Sequence, residues 1–236
     1  MNRKGRRLAS TLAPALALCM CVVLAFCAQD ALAGGRNGWK AGTSSAKDFD
    51  FYVLSLSWSP SYCAAEGADA NRQQCEAGRP YAFVVHGLWP QFERGYPSDC
   101  AAGTARVPGA LTRSLLDIMP SPGLVRHEWQ KHGTCTGLSQ TDYFRILRAA
   151  RQKVAIPDEY RRLDGYRMVA PQEVEDAFLR ANRGLRPDAV AVTCDRRYLR
   201  EVRICMTRDL GFRACPQVDR QACRQPRVVM PPVRGG

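Results

Sequence analysis

The chain is poor in histidine: its 236 residues include only three, His86, His127 and His132. It has no dinucleotide-binding glycine pattern and no phosphate-binding P-loop, so the backbone cradles of nicotinamide chemistry and of nucleoside-triphosphate hydrolysis are missing. No Cys-x-x-Cys pair follows residue 33, which removes the spacing of a zinc ribbon or knuckle. There is no internal repeat, which excludes a solenoid. Acidic side chains are also scarce, with 22 Asp and Glu against 34 Lys and Arg and a formal charge of +12. A basic surface favours a polyanion such as nucleic acid, because each neutralised phosphate releases counterions.

The first 33 residues read as an export signal. Arg3, Lys4, Arg6 and Arg7 precede an apolar run from Leu8 to Ala28, and Ala31-Leu32-Ala33 supplies the small-x-small pattern read by signal peptidase. Pro14 interrupts the run, which argues against a retained membrane anchor. Bulky Phe26 argues against a lipid anchor at Cys27. Cleavage after Ala33 takes away four basic residues and one acidic one, leaving 203 residues at about +9. That length closes one substantial core, so a single domain over residues 34 to 236 is expected. An exported, periplasmic or extracellular location follows, and the lack of any Asn-x-Ser/Thr sequon with abundant Arg and Ala fits a bacterial source.

Export also changes how the cysteines read. Cys19, Cys21 and Cys27 leave with the signal, and eight remain: Cys63, Cys75, Cys100, Cys135, Cys194, Cys205, Cys215 and Cys223. An even number in an oxidising compartment implies four disulfides, whose connectivity spacing alone does not give.

Along the chain, Phe49 to Trp58 reads as a strand, and Tyr81 to His86 as a second that exits into a loop at Gly87, Pro90 and Gly95. Helical spacing appears over Leu111 to Met119, Leu124 to His132, Thr141 to Val154 and Pro171 to about Ala181. Ala189 to Cys194 and Tyr198 to Met206 alternate as strands do. Strands and helices mix without a regular β-α repeat, so the class is α+β. The Pro-rich, basic stretch from Arg224 to Gly236 is expected to be a loose tail.

All three histidines fall in two short segments. On a helix turning about 100° per residue, Glu128, Lys131 and His132 lie roughly 100°, 40° and 140° around from His127, so four ionisable groups share a face while Trp129 points elsewhere. A zinc-protease helix needs histidines four residues apart; here the spacing is five and Lys131 fills the required place with a positive charge. These groups suit metal-free transesterification of a phosphodiester. Such a reaction needs a base for the ribose 2′-hydroxyl, an acid for the departing 5′-oxygen and cations for the phosphoryl oxygens. DNA, lacking the 2′-hydroxyl, would be spared.

The segments Phe83-Val84-Val85-His86-Gly87-Leu88-Trp89-Pro90 and His127-Glu128-Trp129-Gln130-Lys131-His132-Gly133-Thr134-Cys135 closely resemble the two signatures of the ribonuclease T2 family. The likeness extends to Trp58-Ser59-Pro60-Ser61-Tyr62-Cys63, to Tyr96-Pro97-Ser98-Asp99-Cys100 and to the cysteine-bearing C-terminal third. The resemblance implies a central antiparallel sheet flanked by helices, and cleavage of single-stranded RNA through a 2′,3′-cyclic phosphate to a 3′-phosphate, without a cofactor. It implies His132 as general base, His86 as general acid and His127 as phosphate ligand, with Glu128 and Lys131 stabilising the phosphorane. It further implies bonds Cys63 to Cys75, Cys100 to Cys135, Cys194 to Cys223 and Cys205 to Cys215, which makes Cys135 structural.

For the nucleobase, Trp89 offers a stacking surface with Tyr96 beside it. Many relatives carry an acidic residue after the motif's proline, where this chain has Gln91. A monomer is the expected state.

Overall fold

Alternation along four segments builds the central sheet. In chain order the strands are β1 (Ala41–Gly42), β2 (Phe51–Trp58), β3 (Phe83–Gln91), β4 (Tyr96–Pro97), β5 (Arg167–Val169), β6 (Val190–Cys194), β7 (Leu199–Met206) and β8 (Val228–Met230). The helices are α1 (Ser59–Glu66), α2 (Arg72–Cys75), α3 (Gly109–Arg113), α4 (Pro122–Lys131), α5 (Gln140–Lys153), α6 (Pro171–Ala181) and α7 (Pro216–Asp219). The computed structural model describes residues 48 to 234, apart from 77, 102, 104 and 105, together with 41 and 42. The expected export signal and its cleavage point lie outside the described residues. Among those described, no helix is long and apolar enough to cross a membrane.

The main sheet has the order β3-β2-β7-β6, with every neighbouring pair antiparallel. Period-two alternation sends Tyr52, Leu54, Leu56 and Trp58 of β2 to one face with Val202, Ile204 and Met206 of β7. The helices α5 and α6 cover that face. Tyr143, Leu147 and Ala150 recur at i, i+4 and i+7 on α5, and Val174, Ala177 and Phe178 form the buried stripe of α6. Each fully buried Leu or Phe adds about 1.5–3 kcal/mol, so this face carries most of the stabilising burial. The opposite face holds a smaller cluster of Phe51, Val53, Ala191 and Cys205. Beside it the small side chains of Ser55 and Ser57 sit across from Arg203 and Glu201.

Among the described residues four disulfides staple the chain, Cys63–Cys75, Cys100–Cys135, Cys194–Cys223 and Cys205–Cys215, as the family resemblance implies.

Three expectations need correction. The strand carrying His86 does not exit at Gly87 but continues to Gln91, because β2 is long enough to pair with it as far as Phe51 and because β3 is a sheet edge, where Pro90 is tolerated. The helix expected over Leu111 to Met119 stops at Arg113. Beyond it Leu115 and Met119 are still buried, but the backbone tightens into turns and the Ser114 hydroxyl donates to the Leu111 carbonyl. The tail from Arg224 is not loose. Val228 and Met230 are buried, β8 pairs with β5, the Trp58 indole N–H donates to the Pro231 carbonyl, and the Val233 amide donates to Leu163. Its Pro and Arg content suggested disorder, while two apolar side chains and a handful of backbone bonds dock it.

Candidate active site

A β-bulge sets His86. Ser55 pairs with Gly87 and Leu56 with Val85, which leaves His86 as the extra residue of β3. A bulge bends the strand and re-aims side chains. Phe83, Val85 and Leu88 consequently reach the main core, and Trp89 turns to the opposite face.

The second segment is placed by α4. Ser121 caps it by accepting from the Leu124 amide, and Pro122 occupies its first turn. Val125 and Trp129, four apart, anchor it in the core. The helix ends at Lys131, and Gly133–Thr136 tightens into a 3-10 turn. Gly133 is dictated by packing, since a Cβ there would lie 2.3 Å from the Trp129 ring. The loop of Asp99 and Cys100 is strapped to this end of the helix by the Cys100–Cys135 bond and by the Asp99 amide donating to the Lys131 carbonyl.

The two segments meet in an open cleft of about 260 Å³. His86, His127, Glu128, Lys131, His132, Trp89, Gln91 and Tyr96 all line it, together with Arg203 and Gln221. Trp89 stands between the histidines: its ring centroid is 5.3 Å from that of His86 and 5.4 Å from that of His132. Its indole N–H donates to Glu128 at 2.9 Å, which ties strand to helix. Gly87 lies directly beneath this bond, where a Cβ would come 1.9 Å from the Glu128 carboxylate. The Arg203 guanidinium also lies over Trp89, so that side chain serves as scaffold for four site groups, His86, His132, Glu128 and Arg203.

Electrostatics divide the ionisable groups. Burial pushes Glu128 up to about 7 against the pull of His86, the Trp89 bond and Lys131, and its Oε1 has no hydrogen-bond partner among the described residues. Burial also pushes His132 down to about 2, assisted by the charges of Lys131, His86 and His127, and its Nδ1 is unpaired. His127, exposed on the rim, is lowered by partial desolvation and by Lys131. His86 goes the other way: burial lowers it, but Glu201 and Glu128 together hold it above the usual imidazole value. Among the described residues no group of three or more His, Cys, Asp or Glu is arranged to hold a metal ion.

Residues 49–215 match the model of the ribonuclease T2 family. The chain belongs to the ribonuclease T2 family. Over 108 residues it is 49% identical to a ribonuclease of Aeromonas hydrophila, a stretch covering 46% of this chain and 47% of that one. It is 29% identical to a probable ribonuclease of Haemophilus influenzae, over 60% of this chain and 58% of the relative. The chain thus spans about half the length of these curated relatives. Among solved structures, an RNase-related protein from Calystegia sepium superposes with a TM-score of 0.64 at 21% identity, covering 80% of this chain and all of that one. RNase NT, solved in complex with 5′-AMP, gives 0.58 at 21% identity over 79% of this chain. These two likenesses establish the ribonuclease T2 fold.

Arg203 and Gln221 of the cleft, and Glu201 behind His86, were not among the residues expected from the sequence. Glu201 and Arg203 of β7 lie two apart on one strand face, opposite Ser57 and Ser55. Glu201 is only 8% exposed. The signal available was a pair of opposite charges at period two, Glu201 and Arg203, on one face of a strand whose other face is apolar apart from Arg200 at its start.

Proposed function

We propose that this chain is an endoribonuclease that cleaves single-stranded RNA by metal-independent transesterification, through a 2′,3′-cyclic phosphate to a 3′-phosphate. The observation carrying the reading is that one cleft holds two imidazoles flanking Trp89, with centroids 5.3 and 5.4 Å from its ring, and that their surroundings push them in opposite directions from the ordinary imidazole value, His86 upward and His132 downward. An acid and a base working together need that separation. His132, kept neutral, takes the proton of the 2′-hydroxyl as its oxygen attacks phosphorus. His86, whose protonated form the neighbouring carboxylates favour, gives its proton to the 5′-oxygen as the P–O5′ bond breaks. In the second half the roles reverse: His86 takes a proton from water, which opens the cyclic phosphate, and His132 returns its proton to the 2′-oxygen.

Lys131 and His127 supply positive charge for the phosphoryl oxygens. Glu128 is unusual in this setting, because an ionised carboxylate would repel the phosphorane. Raised to about 7, it is largely protonated in mildly acidic solution and donates a hydrogen bond instead. Trp89, Tyr96 and Gln91 form the base-binding side, where the Gln91 Nε2 donates to the Pro90 carbonyl and its buried Oε1 is left as an open acceptor. The N-terminal stretch that reads as an export signal supports a periplasmic or extracellular location, and the enzyme is proposed to act as a single-domain monomer.

The test is a defined RNA oligomer digested in excess EDTA, with the ends identified by mass spectrometry. Cyclic-phosphate ends converting to 3′-phosphates are expected. Products with 5′-phosphates, or activity lost in EDTA and restored by zinc or magnesium, would overturn the mechanism.

A further inference from the structure

His86 has a neighbour that the reaction scheme does not use. Its Nδ1–H donates to Oε1 of Glu201 at 2.5 Å, across 115 residues of sequence. The other carboxylate oxygen of Glu201 accepts two bonds from Arg203, from Nε at 2.9 Å and from a terminal nitrogen at 2.8 Å. With both oxygens engaged, Glu201 has no rotational freedom left. Arg203 is fixed in turn by lying over Trp89, 5.1 Å from the ring centroid. The chain of contacts therefore runs Trp89, Arg203, Glu201, His86, all on one face of β3 and β7.

We propose that Glu201, pinned by Arg203, is the positioning residue for His86: it fixes the ring so that Nδ1–H points into the sheet and Nε2–H points into the cleft. The proposal rests on the ribonuclease reading above and deepens it. Only Nε2 then faces substrate, and it is the nitrogen that gives its proton to the 5′-oxygen. The Nδ1 proton stays where it is, shared with Glu201, and Glu201 gains none.

The other groups facing His86 do not serve this purpose. Glu128, from α4, lies 3.8 Å from Nε2, beyond hydrogen-bond length and on the side that must donate. It is also not a permanent anion, being lifted to about 7 by burial. His127 and His132 are themselves lowered by the charge of His86 across the cleft, and the Arg203 charge lowers His86 without outweighing the carboxylates. Glu201 is different. Burial would raise it, but the His86 bond and the Arg203 charge hold it down to about 2, so it remains ionised across the working range. A carboxylate behind an imidazole fixes its tautomer and raises its basicity, the arrangement used for histidines in hydrolases and at metal sites.

The experiment compares kcat and KM against pH for the wild type, Glu201→Gln and Glu201→Asp, with melting temperatures alongside. Expected for Glu201→Gln is a kcat loss of about 10- to 100-fold, a share of the ~10²–10⁴ that general acid–base catalysis contributes. KM should be unchanged, and the alkaline limb should move to lower pH, because removing the carboxylate lowers His86. Glu201→Asp should recover part of kcat. In the wild type, ¹⁵N NMR should show His86 protonated at Nδ1 and titrating above about 6.5. A Glu201→Gln enzyme with unaltered kcat and pH profile overturns the proposal, as does His86 titrating at or below the ordinary value. So does a variant whose kcat, KM and melting temperature fall together with no shift of the limb, since that marks a purely structural pair. His86→Ala separates the two levels. If it stays active, the ribonuclease mechanism itself fails; if it is dead while Glu201→Gln is unaffected, only the positioning role fails.

Discussion

His86 and His132 carry the same ring, line the same cleft and touch the same tryptophan, yet their surroundings pull them apart. Burial is the largest influence on both and lowers both. At His86, on the sheet side, the carboxylate of Glu201 and that of Glu128, reaching over from α4, outweigh it. On the helix side there is no such partner, and Lys131, His86 and His127 add positive charge that drives His132 further down. The difference between a prospective acid and a prospective base is thus made by what stands behind each ring, with desolvation acting on both alike. The helix half is a rigid, locally encoded unit. The strand half is assembled from β3 and β7.

The largest effect should come from removing either ring. His86→Ala and His132→Ala are each expected to lower kcat by about 10²–10⁴, the contribution of a positioned acid or base, with unchanged melting temperatures. Next is the covalent link between the halves. Replacing Cys100 and Cys135 together by serine should cost about 2–5 kcal/mol in a urea titration, and should reduce activity by letting the end of α4 drift from the Asp99 loop. The non-covalent link is weaker. Trp89→Phe removes the donor to Glu128, a bond to a chargeable group worth about 1.5–3 kcal/mol, and Glu128 should then titrate higher. Smallest is His127→Gln, which removes a rim cation. KM should rise by no more than about fivefold, matching the ~1 kcal/mol ceiling of an exposed ion pair. The penalty should appear only as pH falls below the usual imidazole value, because His127 is lowered and is charged only there.

The same contrast between halves explains what was legible in the sequence. Six consecutive residues, 127 to 132, carry four of the cleft's side chains, and helical geometry alone puts them on one face. The α+β class followed from alternation and helical spacing, while the disulfide pairs came from the family resemblance. Glu201 and Arg203 were not found, because their meaning depends on β7 pairing with β2 and bringing them beside β3. The bulge at His86 was equally hidden, since nothing in Val85-His86-Gly87 signals an extra residue until β2 supplies the register. The tail was misjudged for a related reason. Its composition is that of a linker, and its docking depends on partners distant in sequence: β5, which pairs with β8, Trp58, which bonds Pro231, and Tyr198, which bridges to Val229.

The division of labour between the two rings is open to a direct chemical test with RNA in which the 5′-bridging oxygen at one linkage is replaced by sulfur. A thiolate departs without being protonated, so the substrate bypasses the need for an acid while keeping the need for a base. His86→Ala should cleave this linkage at close to the wild-type rate, and His132→Ala should remain inactive. Rescue of His132→Ala with none for His86→Ala would contradict the account, because the helix ring would then be the acid and the carboxylate behind His86 would serve a base.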